Sequence, residues 1–180
     1  MHAIPLETKD ASTRHIGLLT IAKSYIQAAL HLGPEKLFDS KLTKFLYPRL
    51  HLTAHAIELG LKAIVRQEMA SSGTGEDEIE GKLKSLGHNL DRCERLAKEC
   101  ATAKAIRRTE KGEKIWEDVR QIAANLNDGH RHQIYRYRTN TFIPNHPTTS
   151  EPFGLVSDFL KCVEHEFRAA LRRERTSLSK

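Results

Sequence analysis

The segment His130–Arg138 combines residue types that could carry out chemistry in this 180-residue chain. It contains three arginines, two histidines and two of the four tyrosines. Arginine presents planar donors that match phosphate oxygens, and tyrosine presents a face on which a base can stack. Histidine can transfer protons near neutral pH. The segment therefore predicts a site for a nucleic acid or a nucleotide.

Each residue type in this segment has a candidate role. The candidates for nucleic-acid binding are Arg131, Tyr135, Arg136, Tyr137 and Arg138. If the protein is a nuclease, the candidate catalytic residues are His130, Arg131 and His132, with a histidine transferring the proton. In the alternative interpretation, the tyrosines pack on the fold and the arginines pair with acidic side chains.

A second group of candidates lies upstream, on a predicted helix. His51, His55 and Glu58 share one helix face at their spacing, and a His-x-x-x-His pair can chelate a divalent metal. A complete site needs a ligand from another helix, and His88 or His165 could supply it. In the alternative interpretation, the three residues line a half-buried helix edge. We expect no cofactor and keep His51, His55 and Glu58 as the alternative metal ligands.

Three polar residues are candidates for supporting the site. Glu58 and Lys62 form an i,i+4 pair inside an apolar stretch, where charged groups need partners. They either support the site or form a salt bridge that clamps neighbouring helices. Asn127 belongs to the polar run just before the basic segment and is the third candidate.

Composition limits the class of protein. The formal net charge is +6 and the pI is about 9.3, which favours anionic partners. Mean hydropathy is −0.52, and no apolar run is long enough to cross a membrane. No signal peptide is visible at the N-terminus, so we expect a cytoplasmic protein. The three cysteines occupy apolar positions and predict buried free thiols, with Cys93 and Cys100 on one helix.

Hydrophobic periodicity predicts an all-α fold: a single-domain bundle of four long helices plus short ones. The domain covers residues 1–180, with a core at about 12–171 and a frayed tail at 172–180. The predicted long helices begin near Ser12 or Thr13, near Pro48 in a first turn, at Glu113 and at Glu151. Short helices are expected after residue 75 and after Asn89, and residues 128–150 are expected to be irregular. The first helix is expected to bury Ile16, Leu19, Tyr25 or Ile26, and Leu30.

Three short motifs resemble the HEPN superfamily. They are the E-L-x-x-K-like sequence within Ala54–Ala63, the Gly87-His88-Asn89-Leu90 turn and the late Tyr135-Arg136-Tyr137. The resemblance covers about residues 12–170 and implies an all-α homodimer connected with RNA. Many HEPN proteins are metal-independent ribonucleases of toxin or defence systems. The resemblance therefore also implies a protein partner such as an antitoxin.

The HEPN active pattern is an arginine and a histidine on a late helix, in that order, with four to six residues between them. The arginine holds the phosphate while the histidine assists attack by the ribose 2′-OH. The basic segment departs from this pattern, because His130 and His132 flank Arg131 directly. Arg49 and His55 have the required spacing but lie on the second helix.

Three functions follow from these observations. The first is an RNA-directed HEPN-like protein acting as a metal-independent ribonuclease. The second is a non-catalytic module that binds RNA, a nucleotide or a protein. The third is a metal-dependent helical-bundle enzyme that uses the alternative metal ligands.

Overall fold

The computed structural model describes residues 14–32, 43–133 and 151–178. Within these ranges the chain forms seven helices and no strand, so the predicted all-α helical bundle is confirmed. The helices are α1 (Arg14–His31), α2 (Thr43–Ser71), α3 (Glu76–Leu86), α4 (Leu90–Lys98), α5 (Ala101–Ile106), α6 (Glu110–Arg131) and α7 (Glu151–Leu178). Helices α1, α2, α6 and α7 are the four long ones. None of the described helices is both long and apolar enough to cross a membrane.

Helix α2 is the centre of the bundle, because it contacts each of the other six helices. Helical periodicity predicts one apolar face of α2 with Leu50, Ala54, Ile57, Leu61, Ile64 and Val65, and all six are buried. Helix α7 packs tightly against α2 at Gly60, where an added Cβ would lie 2.6 Å from Leu160 Cδ2. The absence of a side chain at Gly60 therefore permits this close packing.

Side chains cap the N-termini of two helices. Asn89 caps α4 as predicted, since its side chain accepts a hydrogen bond from the backbone N–H of Arg92. Thr109 caps α6 by accepting one from the N–H of Gly112. Because this cap starts the helix at Glu110, the predicted start of α6 at Glu113 was three residues late.

The predicted inward face of α1 was partly wrong. Leu19 and Ile26 are buried as expected, whereas Ile16 and Leu30 are each 37 % exposed. The buried residues of α1 are His15, Leu19, Ala22, Ile26 and Ala29. Two small alanines on this face let α1 lie close to α2. A prediction from hydrophobicity alone instead placed the larger side chains of Ile16 and Leu30 on the buried face.

The predicted start of α2 was also wrong. The helix begins at Thr43, so Pro48 lies inside the helix and not in its first turn. Proline has no backbone N–H, and the carbonyl of Lys44 therefore loses its usual partner four residues on.

The cysteines are buried or half-buried free thiols, in agreement with the sequence. Helix α4 ends at Lys98, however, so Cys93 and Cys100 do not share one helix as expected. Burial raises the pKa of both Cys93 and Cys100 to about 12, which keeps these thiols protonated.

Two helices extend further than the sequence indicated. Helix α6 continues to Arg131, so residues 128–131 are helical and not irregular. Its last turns are held in the bundle by Leu126, Gly129 and His130, which are buried. Helix α7 continues to Leu178, into the segment expected to fray.

We predict that Gly112→Ala destabilises the protein. An added Cβ would lie 1.9 Å from the backbone oxygen of Ile106, which cannot move aside as a flexible side chain could. The expected loss of unfolding free energy is about 3 kcal/mol, measured by urea denaturation.

The matched control is Gly81→Ala in α3, where an added Cβ meets nothing within 4 Å. This change should stabilise the helix by up to about 1 kcal/mol, because alanine has the higher helix propensity. Equal effects of the two substitutions would contradict the contact at Gly112.

Candidate functional site

The candidate site is organised around the carboxylate of Glu58, which is only 3 % exposed on α2. Its Oε2 lies 2.6 Å from Nε2 of His130 and 3.0 Å from Nδ1 of His88. Its Oε1 accepts a hydrogen bond of 2.6 Å from the Lys62 ammonium, which also donates to the carbonyl of Gly87 at 2.8 Å. Both carboxylate oxygens are therefore occupied by donors.

The donors reach Glu58 from three parts of the chain. Lys62 lies one turn further along α2. His88 follows Gly87, which ends α3 with a φ of 58°, a conformation that favours glycine. His130 lies in the last turn of α6 and is 2 % exposed. The site thus joins α2, the α3–α4 connection and the end of α6.

The charge states in the cluster follow from burial and hydrogen bonding. Burial alone would raise the pKa of Glu58, but the hydrogen bond from His130 and the charge of Lys62 lower it to about 2. Burial lowers the pKa of His55 to about 4, and the nearby His130 and His51 act in the same direction. Near neutral pH the cluster therefore contains a carboxylate beside a neutral His55 imidazole.

Four imidazole rings surround a small cavity next to this carboxylate. The cavity has a volume of about 40 Å³ and is lined by His51, His55, His88, His130 and Gln133. The ring centroids of His51 and His55 are 4.4 Å apart, and those of His55 and His130 are 4.7 Å apart. A cavity of this size and polarity has room for a water molecule or an ion.

Gln133 closes the cavity with an unusual backbone conformation. Its φ is 55°, the one positive φ of a non-glycine residue within the described ranges. The conformation ends α6, and the Gln133 N–H donates to the carbonyl of His130. A left-handed residue is a common end to a helix, and here it places Gln133 against the cavity.

Asn127 ties α6 to α4 beside this cluster. Its Oδ1 accepts a hydrogen bond of 2.8 Å from the N–H of Leu90, and its Nδ2 donates to Asp91 at 2.9 Å. The amide therefore satisfies an N–H at the start of α4 that has no partner within the helix. This contact positions the turn of α6 that precedes His130.

The structure brings some of the predicted site residues together and leaves others apart. Glu58, Lys62 and His130 are in one hydrogen-bonded cluster. Arg131 and His132 follow at the end of α6 and are exposed to solvent. Tyr135, Arg136, Tyr137 and Arg138 lie outside the described residues.

The alternative metal set overlaps the cluster only in part. One ligand atom from each of His55, Glu58, His88 and His130 lies within 4.8 Å of the others, whereas His51 is not in this group. From the sequence, His88 was only a possible additional metal ligand, and His130 was not connected with a metal. Helical periodicity could have indicated that His130 faces the interior, because it lies four residues after the buried Leu126.

Two other sequence candidates lie away from the Glu58 cluster. The buried Arg49 has its guanidinium 3.9 Å from the centre of the Phe153 ring and donates to the carbonyl of Ala29. The arginine of the Arg49–His55 pair therefore packs between helices. His165 lines a separate pocket on α7, together with Cys162.

Comparison with known proteins gave no match to a protein-family model, to a curated protein or to a solved structure. The structure defines an all-α bundle with a buried carboxylate–histidine cluster. Since no known protein matches, the HEPN resemblance rests on the motifs of the chain itself.

We predict that Asn127→Ala destabilises the protein by about 2 kcal/mol, because the buried N–H of Leu90 would lose its acceptor. Chemical denaturation followed by circular dichroism measures the change. Asn125→Ala, two residues earlier on the exposed side of α6, is the control and should change stability by less than about 0.5 kcal/mol. Similar losses in both variants would show that the Leu90 contact is not responsible.

Proposed function

We propose that this protein is an RNA-directed domain of the HEPN type, with the end of α6 as its RNA-facing surface. The observation that carries the proposal is the shared carboxylate: Glu58 Oε2 contacts both His88 and His130. Glu58 and His88 belong to two of the motifs that resemble HEPN, and His130 begins the basic segment. Residues from three separate parts of the sequence thus meet immediately beside Arg131.

A second contact between the motifs supports this proposal. Lys62 belongs to the E-L-x-x-K-like motif, and its ammonium donates to the carbonyl of Gly87 in the Gly87–Leu90 turn. The two motifs therefore act together as a framework, because the lysine connects the Glu58 carboxylate to that turn. A common framework explains why both motifs occur in one chain.

The proposed activity is metal-independent cleavage of RNA, in a toxin or defence role. Arg131 is exposed and can neutralise a phosphate, and the exposed His132 can transfer a proton during attack by the 2′-OH. His130 is buried against Glu58, so we assign it a positioning role for the two residues that follow. The net charge of +6 favours an anionic substrate.

A non-catalytic RNA-binding or nucleotide-binding module is the second candidate. It is favoured by the burial of His130, which keeps one of the candidate histidines away from solvent. In this function Arg131 and His132 contribute to recognition, and no bond in the RNA is broken.

Arg131→Ala should weaken RNA binding about tenfold, because one charged hydrogen bond to phosphate contributes roughly 1.5 kcal/mol. Affinity is measured by fluorescence anisotropy with a labelled single-stranded RNA at several salt concentrations. Loss of one phosphate contact should also reduce the salt slope by about 0.7.

Arg108→Ala is the matched control for RNA binding. It removes the same charge from an exposed arginine just before the start of α6, about 30 Å from Arg131 along the helix axis. An equal loss of affinity in both variants would mean that only the overall charge matters. Undetectable binding by the wild-type protein would reject the proposal.

The cleavage reaction is tested with labelled total RNA in the presence of EDTA. His132→Ala should reduce the rate about 10²- to 10⁴-fold while affinity changes less than about threefold, because a general acid–base group contributes to that extent. His31→Ala, which changes an exposed histidine on α1, should cleave at the wild-type rate. RNA binding by the wild type without cleavage would select the second candidate function.

We further propose a homodimer that acts in the cytoplasm, since the HEPN resemblance implies a dimer. Size-exclusion chromatography with light scattering should give twice the chain mass of 20.5 kDa. A monomer at all concentrations would remove the dimer from the proposal and leave the RNA experiments unaffected.

A further inference from the structure

The histidine-lined cavity beside Glu58 has a ligand chemistry that the proposed function does not use. We propose that this cluster binds one divalent transition-metal ion of the Zn²⁺ type, with the imidazoles of His55, His88 and His130 and the Oε2 atom of Glu58 as its ligands. This inference goes beyond the RNA-directed function and can be tested without RNA.

The spacing of the three rings fits a common metal ion. Zn–N bonds of about 2.0–2.1 Å in a tetrahedral site place the centroids of two ligating imidazoles about 5 Å apart. The centroid separations are 5.7 Å for His55–His88, 4.7 Å for His55–His130 and 5.3 Å for His88–His130. All three pairs lie close to the required value. The cavity of about 40 Å³ that the rings line is large enough for one ion.

The ligand atoms of these residues converge on Glu58. Its Oε2 lies 2.6 Å from Nε2 of His130, 3.0 Å from Nδ1 of His88 and 3.8 Å from Nδ1 of His55. One ligand atom from each of the four residues lies within 4.8 Å of the others. An ion bound there replaces the protons between the carboxylate and the rings of His88 and His130, and each of these rings then carries its proton on the opposite nitrogen.

The ligand set selects a particular class of cation. Neutral imidazoles suit zinc, copper, nickel and iron, whereas Mg²⁺ and Ca²⁺ prefer six or more oxygen ligands. The Lys62 ammonium occupies Oε1 of Glu58, so this carboxylate offers the metal one oxygen, Oε2. Three imidazoles and one carboxylate oxygen complete a tetrahedral site.

The ion would connect three parts of the fold. His55 lies on α2, His88 on the α3–α4 connection and His130 in the last turn of α6. Metal binding should therefore stabilise the folded state, because the unfolded chain does not hold these three rings together. It should also fix the turn that precedes the exposed Arg131.

The direct test is titration of EDTA-treated, dialysed full-length protein with ZnCl₂ by calorimetry. We expect one ion per chain, and Co²⁺ should produce the visible absorption of a nitrogen-rich tetrahedral site that Zn²⁺ then removes. His88→Ala and His55→Ala should each weaken binding at least about 30-fold, as expected for loss of a ligand. His88 is partly exposed, so its substitution leaves the core intact.

His165→Ala is the matched control, because this exposed histidine lies beside Cys162 outside the cavity. It should bind Zn²⁺ like the wild type. Absence of binding at about 100 µM Zn²⁺, unchanged binding in His88→Ala, or loss of binding in His165→Ala would each overturn the proposal.

A second measurement uses thermal unfolding. At a free Zn²⁺ concentration of about one hundred times Kd, the wild-type Tm should rise by about 5–10 °C, and Mg²⁺ should cause no rise. His88→Ala should fold with a cooperative transition and show no rise with Zn²⁺. An equal Zn²⁺-induced rise in that variant would place the ion elsewhere and overturn the proposal.

Discussion

The buried carboxylate of Glu58 is the group on which the arrangement of the candidate site depends. Leaving an ionised carboxylate in the interior without partners costs several kcal/mol. Its partners come from α2, from the α3–α4 connection and from the end of α6, namely Lys62, His88 and His130. Because all three must be in place to satisfy the charge, the packing of these segments onto α2 is coupled.

Because of this coupling, the first residue of the basic segment is buried and the next two are exposed. His130 is drawn into the bundle by Glu58, whereas Arg131 and His132 remain on the surface. Gln133 then ends α6 with a φ of 55° and covers the histidine-lined cavity. The cluster around the buried Glu58 carboxylate and a solvent-facing cationic surface therefore lie next to each other. The RNA-directed function uses the outer surface and the metal proposal uses the inner cluster, so the two are compatible.

Local sequence patterns predicted the features that depend on neighbouring residues. The buried face of α2 and the Asn89 cap follow from helical periodicity and from side-chain hydrogen bonding within one turn. The errors occurred where tertiary packing overrode local preference. The inward face of α1 is set by alanines that allow close approach to α2, and the end of α6 is extended by the burial of His130.

The sequence by itself determined the all-α class, the i,i+4 pair of Glu58 and Lys62, and the basic character of the segment that begins at His130. The tertiary structure alone decided that His88 and His130, 30 and 72 residues away from Glu58, share one of its oxygens. Helical periodicity specifies which residues face the interior, but the packing of separate helices decides which of them meet. The basic segment is therefore a surface whose first histidine belongs to the interior.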